Sequence, residues 1–423
     1  MRHALFVHNN FPGQFGFIAE ALRSRGVQCV AIGSPTARQL PGIPLLQWRP
    51  TRGSTDGIFV PATRAEADFI RGRAAAECAL ALKDHGFEPD LIIGHPGWGE
   101  TLFLREIFPG ARQIIHGEFY YRTQGADVDF DPEFGLPSMD ERFRIHAKNA
   151  TMALAYSEAD RIVCPTPFQA STLPEVFQAR VRLIHEGVDT DHIRPKPDAR
   201  LILADGRVLD RSVPVITFIN RHLEPLRGFH TFVRALPKVL AQVPEAQVVV
   251  IGSGEPGGYG ALPPEGTTWK RHFLSEAGGA LDLSRVHFTG RLPHDQMLAA
   301  LCISAAHVYY TYPFVLSWSL LEAMACECLI IGSDTAPVRD AVRHEENGLL
   351  LDFFDVGALT QVLVKACQEP QTFQGLRRAA RKTVLERFDR SRLCQPAWLH
   401  LVDEVMSKTR EVMSKTRNEG RPS

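Results

Sequence analysis

Two arginines bracket one short loop. In Phe218-Ile219-Asn220-Arg221-His222-Leu223-Glu224-Pro225-Leu226-Arg227-Gly228-Phe229, Arg221 follows an apolar run and Arg227 precedes the glycine where a helical pattern starts. Guanidiniums around a loop and a helix N-terminus form a clamp for a diphosphate; as ordinary surface arginines they would simply be solvated. A second stretch, Tyr310 to Glu327 (YTYPFVLSWSLLEAMACE), leads from a strand through Thr311-Tyr312-Pro313 into a helix beginning near Ser317, with Ser317 or Ser319 as its cap. The free amides of its first turn suit a phosphate. Glu322 lies in the apolar part of that helix, where a carboxylate is costly unless paired or bound. It reads either as a salt bridge on the helix face or as a bidentate acceptor for two adjacent sugar hydroxyls. Nearer the N-terminus, His116 ends an apolar run and is followed by Gly117, Glu118, Tyr120 and Tyr121.

Tyr120 and Tyr121 open a polar segment, 119–148, that also carries Arg122, Asp127, Asp129, Asp131 and Glu133. A connection this long is more often functional than idle. Aromatic faces with carboxylates suit a sugar-like ligand; the alternative is an excursion that merely covers a surface. Asp127-Val128-Asp129-Phe130-Asp131 imitates a calcium loop, but Pro132 stands where glycine is needed and Ser138 where glutamate is needed, so that reading fails. Gly252-Ser253-Gly254-Glu255-Pro256-Gly257 spells a dinucleotide fingerprint. The following Gly258-Tyr259-Gly260-Ala261-Leu262-Pro263-Pro264 cannot open a helix, which leaves a glycine turn at a strand end, close to a ligand.

The elements that must position these residues are short apolar runs alternating with helical patterns. Strands are expected at 4–7, 28–32, 90–93, 113–116, 161–164 and 181–185, with helices at 15–25 and 64–84. The pattern restarts with strands at 213–219, 247–251, 286–289, 307–310, 329–331 and 348–351, and a helix at 229–242. Two such runs predict an α/β protein of two Rossmann-like, doubly wound domains with an interdomain cleft at the carboxyl ends of the strands. The expected boundaries are an N-terminal domain at 1–190 carrying the insert 119–148, a linker at 191–212 and a C-terminal domain at 213–385. A helical segment at 386–417 then packs back towards the first domain, and 418–423 is a disordered tail. Within that segment Glu404–Arg410 and Glu411–Arg417 are identical copies of EVMSKTR, a duplication able to extend one helix with Val405, Val412, Met406 and Met413 along a stripe.

The 423 residues include 47 basic and 48 acidic ones, a net charge of −1 that gives no support to nucleic-acid binding. No apolar run is long enough to span a membrane, and the N-terminal one ends too soon for a secretory signal. A cytoplasmic chain is expected, with peripheral membrane contact left open. The 8 cysteines are scattered, and Cys326 with Cys328 is too closely spaced to form half of a zinc site, so buried free thiols are expected.

Several segments resemble a family-4 retaining glycosyltransferase of the GT-B architecture. They are Ala159-Asp160-Arg161-Ile162-Val163-Cys164-Pro165-Thr166-Pro167-Phe168-Gln169, then Glu186-Gly187-Val188-Asp189-Thr190, then Asn220-Arg221 with Arg227-Gly228, and Leu321-Glu322-Ala323-Met324-Ala325. The opening Asn9-Asn10-Phe11-Pro12-Gly13-Gln14-Phe15 is similar to the family's loop after the first strand. The resemblance implies a nucleotide-diphospho-sugar donor held by the second domain, with no cofactor and no metal. The acceptor, on the first domain, would be a glycan, a lipid-linked molecule, a protein or a small molecule. Catalytic roles fall to His116, Arg221, Arg227 and Glu322. Donor binding falls to Gly13, Gly252, Arg291, Phe314, Val315, Leu316, Ser317, Trp318 and Ser319 beside Arg221, Arg227 and Glu322; acceptor binding falls to Glu118, Tyr120 and Tyr121. Phe314 stands where the family carries a sugar-facing glutamate, Arg227 where it carries lysine, and Glu186 where it carries asparagine. Those departures keep two other readings open: a non-catalytic GT-B protein that binds sugar or protein, and a sugar-nucleotide epimerase.

Overall fold

The computed structural model describes residues 1–419, with side chains through Ser407. The chain divides into two compact units, one of Met1–Thr123, Pro137–Gly187 and the segment from Arg390 on, the other of Gln124–Leu136 and Val188–Asp389.

In the first unit β1 (His3–Val7), β2 (Gln28–Gly33), β3 (Leu45–Gln47), β4 (Leu91–Gly94), β5 (Arg112–His116), β6 (Arg161–Cys164) and β7 (Val181–Leu183) form one parallel sheet in the order β3-β2-β1-β4-β5-β6-β7. The order reverses beside β1, whose register runs Leu5 to Val30 on one side and Leu5 to Ile92 on the other. Strands such as Leu91–Gly94 are buried along their whole length, which is why they read as continuous apolar runs. The helices Gly16–Ser24 and Thr63–Asp84 cover the sheet. Trp398, Leu401, Val402 and Val405 of the helix Gln395–Glu419 join the core around Phe6 and Phe15. Both EVMSKTR copies lie in that helix by their backbone; their side chains beyond Ser407, and residues 420–423 of the expected tail, fall outside the described residues.

In the second unit β8 (Leu201–Ile202) and β9 (Val208–Leu209) form an antiparallel hairpin. A parallel sheet follows, built from β10 (Val215–His222), β11 (Gln247–Ser253), β12 (Val286–Gly290), β13 (Ser304–Tyr309), β14 (Ile330–Ser333) and β15 (Leu349–Leu351), in the order β12-β11-β10-β13-β14-β15. Both sheets are thus doubly wound and parallel.

Two stretches group differently from the expected domains. Residues 191–212 belong to the second unit, because the β8–β9 hairpin buries Leu201, Leu203 and Leu209 in its core. The insert 119–148 is split. Its portion Gln124–Leu136 packs with the second unit, while Met139–Glu158 is a helix of the first unit, opened by a capping box between Ser138 and Glu141. Asp131 explains the grouping of the first portion. Its buried carboxylate accepts from Tyr312 Oη at 2.8 Å and lies 3.1 Å from His230 Nε2. Phe130 packs on Tyr312, Phe353 and Phe354, and Phe134 on His230, Trp269 and Phe273.

Candidate active site

In the second unit several of the expected donor-binding residues gather around the carboxyl ends of β10, β11 and β12. Arg221, Gly252, Arg291, Ser317 and Ser319 line a single cavity of about 370 Å³. Gly252 also opens onto a neighbouring cavity of about 470 Å³, with Ser253, Lys270 and Arg291 on its wall. Gly252 has φ +148°, and a Cβ there would stand 2.2 Å from the Asn220 carbonyl oxygen; glycine lets the end of β11 close against β10. No helix follows until Trp269, so the G-x-G-x-x-G lacks its dinucleotide context.

Ser317 is the N-cap of the helix Trp318–Ala325, its hydroxyl accepting from Ser319 N–H. Tyr309 Oη accepts from Ser317 N–H at 2.7 Å, fixing the loop before the helix. Arg227 is nearly buried. Its Nη1 donates to Thr311 Oγ1 at 2.9 Å and to the Val315 carbonyl at 3.0 Å, and the guanidinium lies 5.4 Å from the Phe314 ring centroid. Arg227 therefore braces the 311–315 loop as well as carrying charge. Arg221 is exposed, with Nη1 3.4 Å from Tyr259 Oη. Phe314 is buried against Tyr259. Val315 and Leu316 are half-buried and Trp318 is exposed. Glu322 Oε1 sits 2.8 Å from His294 Nε2, so its carboxylate already has a partner on the helix His294–Ile303. The sequence did not single out Glu224. Its buried carboxylate accepts from Tyr259 N–H and Gly260 N–H, both at 3.0 Å, and folds the glycine-rich loop back on β10.

The first unit gathers a different set at the ends of β1, β4 and β5. His8, His95 and His116 are all buried. His8 Nδ1 accepts from Asn10 N–H, so the ring proton resides on Nε2, which donates to Gln14 Oε1 at 2.6 Å. Gln14 Nε2 then donates to Glu118 Oε1 at 3.0 Å. His95 Nδ1 accepts from Gly97 N–H, which puts its proton on Nε2, 3.3 Å from Glu118 Oε2. His116 Nε2 lies 3.4 Å from Glu186 Oε1. Burial holds His8 down to about 3 and His116 to about 4, so both rings are neutral near pH 7. Burial alone would raise Glu118, but the hydrogen bond from His95 and the three imidazoles outweigh it and bring the carboxyl to about 2.

Gly13 belongs to this unit. With φ +45°, a Cβ there would stand 2.5 Å from the His8 ring, so the glycine makes room for His8. Tyr120 and Tyr121 pack against the core around Tyr156, and Lys148 Nζ lies 3.3 Å from the Tyr121 ring centroid. The loop after β4 is tied to the helix Thr63–Asp84. Arg64 Nη2 donates to the Gly97 carbonyl and Arg71 Nε to the Trp98 carbonyl, while both arginines pair with the buried Asp68. Within this loop Glu100 is wholly buried, both carboxylate oxygens lack a hydrogen-bond partner among the described residues, and burial raises its carboxyl to about 7.

His95, His116 and Glu118 bring donor atoms within 4.8 Å of one another, close enough to hold a cation. The tautomer argues against it. A ligating Nε2 needs its lone pair, whereas the Gly97 amide assigns that nitrogen the proton. His8, His95 and Gln14 were not among the expected residues; His8 and Gln14 share the loop after β1, whereas His95 lies far from both in sequence and joins them only through the strand ends.

Residues 25–193 match the family model described as glycosyl transferase family 4 group, and residues 213–369 that of glycosyl transferases group 1. A D-inositol 3-phosphate glycosyltransferase of Acidothermus cellulolyticus is 28% identical over 373 residues, 82% of this chain and 76% of that protein. The enzyme of the same name from Rhodococcus jostii is 26% identical over 264 residues, 58% of this chain and 56% of the relative. Among solved structures, a sucrose-phosphate synthase from Thermosynechococcus elongatus superimposes with a TM-score of 0.72 at 17% identity, covering 96% of this chain and all of that one. An Anabaena protein solved with UDP-glucose gives 0.63 at 16% identity, over 98% of this chain and 100% of the other. At such identities these structures speak for the fold. Among the described residues no helix is long and apolar enough to cross a membrane.

Proposed function

Because the chain belongs to the family-4 glycosyltransferases of the GT-B architecture, we propose that it is a retaining glycosyltransferase using a nucleotide-diphospho-sugar donor. The observation that carries this reading is the cavity in which Arg221, Gly252, Arg291, Ser317 and Ser319 meet. Guanidiniums and helix amides there oppose the charge that grows on the departing diphosphate, the work a cation does elsewhere, so no metal is needed. Glu322 would exchange His294 for the ribose hydroxyls. In the first unit the neutral imidazole of His116 offers the donor sugar a hydrogen bond rather than a charge, and Glu118 receives an acceptor hydroxyl. Retention follows if the leaving phosphate assists removal of the acceptor proton on the same face of the sugar. Eight free thiols fit a reducing compartment such as the cytoplasm.

A second reading, sugar binding without transfer, is favoured by one observation. Phe314 is apolar and buried where the family pattern places a carboxylate. Incubation with UDP-, GDP- and ADP-sugars, with and without a panel of polyol and glycan acceptors, separates the readings. Transfer to acceptor supports the proposal, isomerised donor points to an epimerase, and saturable binding without turnover establishes the second reading.

A further inference from the structure

At the opposite, amino-terminal end of the second sheet lies a cavity of about 560 Å³, where residues just before β10 meet the first residues of β13. Three guanidiniums line it: Arg211, Arg377 and Arg378. Arg211 donates through Nε and Nη2 to the Cys302 carbonyl, and Arg377 donates to the carbonyls of Ser304 and Ala305. Backbone oxygens thus hold two of the cations in place without neutralising them. No carboxylate lies within ion-pair distance of any of the three among the described residues. The one acidic group on the wall is Glu327, against three positive charges. Each arginine has five N–H donors, so the carbonyls leave most of them unclaimed.

Like charges held side by side in a partly desolvated cavity are unfavourable without a counter-charge. The effect registers on Arg377, whose guanidinium is lowered first by burial and further by the charge of Arg211. The remaining polar lining, Gln371 and Gln374, offers amide groups of both hydrogen-bonding senses. The volume falls within the range of small-molecule sites. Arginine forks match the oxygens of a phosphate, and a net excess of two positive charges matches a dianion.

We propose that this cavity is a second anion site, separate from the nucleotide-facing end of the same sheet, and that it takes a phosphate dianion borne by a small sugar phosphate or free in solution. The test is calorimetric titration of glucose 6-phosphate, inorganic phosphate and glucose into the full chain, with and without saturating UDP. Binding of either phosphate, unaffected by UDP and absent for glucose, is expected. The tighter of the two identifies the source. Replacing Arg211 and Arg378, both exposed, with Gln should weaken that binding by about tenfold or more, as loss of charge-assisted bonds requires. Glu327→Gln should tighten it by removing the opposing charge. Undiminished binding in the double variant, weaker binding in Glu327→Gln, displacement by UDP, or no phosphate binding at millimolar concentration would each overturn the proposal. Because the phosphate arm stands without UDP, its outcome is independent of whether the nucleotide site behaves as proposed.

Discussion

The two units carry the same kind of sheet but treat polar groups in opposite ways. In the second, charge is left open to a cavity. Arg221 and Arg291 line it, and the backbone around it is shaped by Gly252 and by the Ser317 cap. In the first, buried side chains close on one another, while His116 and Glu100 stay without hydrogen-bond partners among the described residues. His8, Gln14, Glu118 and His95 form one continuous chain of hydrogen bonds and close contacts. An open cationic cavity favours an anion that arrives with its own charge. A closed network around the Glu118 carboxylate, with imidazole protons assigned by backbone amides, favours a partner whose hydroxyls can be inserted into existing bonds.

That contrast can be broken at several points. The largest effect is expected for Arg221→Ala, which should lower kcat/KM by about 100-fold or more, with the fold intact because the side chain is exposed. Near-normal turnover would mean the cavity does not meet the diphosphate. Arg227→Lys sharpens the same point. It keeps the charge but loses the Nη1 group that bridges Thr311 and Val315, so a melting temperature several degrees lower should accompany the kinetic loss. Glu322→Ala should weaken nucleotide binding by roughly tenfold in an affinity titration, while leaving acceptor KM alone.

In the first unit, Glu118→Gln should raise acceptor KM without changing nucleotide affinity. A change in nucleotide affinity instead would erase the distinction between the units. The smallest catalytic effect is expected from Glu100→Gln, whose signature is stability. Below its ordinary value of 4.5 the Glu100 carboxyl is protonated folded and unfolded; between 4.5 and about 7 only the folded chain retains the proton, so rising pH costs stability across that window. The amide variant should therefore melt higher than the parent by an amount worth about 3 kcal/mol at pH 8, with the gap closing at pH 4. A constant gap would place the effect in packing rather than in the buried charge.

What the sequence disclosed follows the same line. Most strands of both sheets are legible because burial on both faces writes them as unbroken apolar runs, and the expected 161–164 and the helix 229–242 coincide with the observed elements. The arginine loop and the Ser317 cap were legible because their chemistry is local, complete within a dozen residues. The network of the first unit was not, since its members at 8, 14, 95 and 118 meet only once β1, β4 and β5 are laid side by side. Two further signals are local. Asp205-Gly206 marks the β8–β9 turn, where Gly206 has φ +85°, and Ser138 with Glu141 marks the start of a helix inside what read as one long insert. β3 was missed because only Leu45 and Leu46 of its three residues are apolar and both are half-buried.

The placement of Gln124–Leu136 bears on how this protein can be taken apart. A gene fragment beginning near residue 188 would encode every strand of the second sheet yet omit Phe130, Asp131 and Phe134. Tyr312 would lose the acceptor of its hydroxyl, and His230, Trp269, Phe273, Phe353 and Phe354 would lose the rings that cover them. Likewise a fragment ending near 187 would lack Trp398 and Val402 from its core. Chimaeras with relatives therefore have to exchange discontinuous pieces, and an isolated half, to be soluble, needs the missing segment restored as a fused or added peptide.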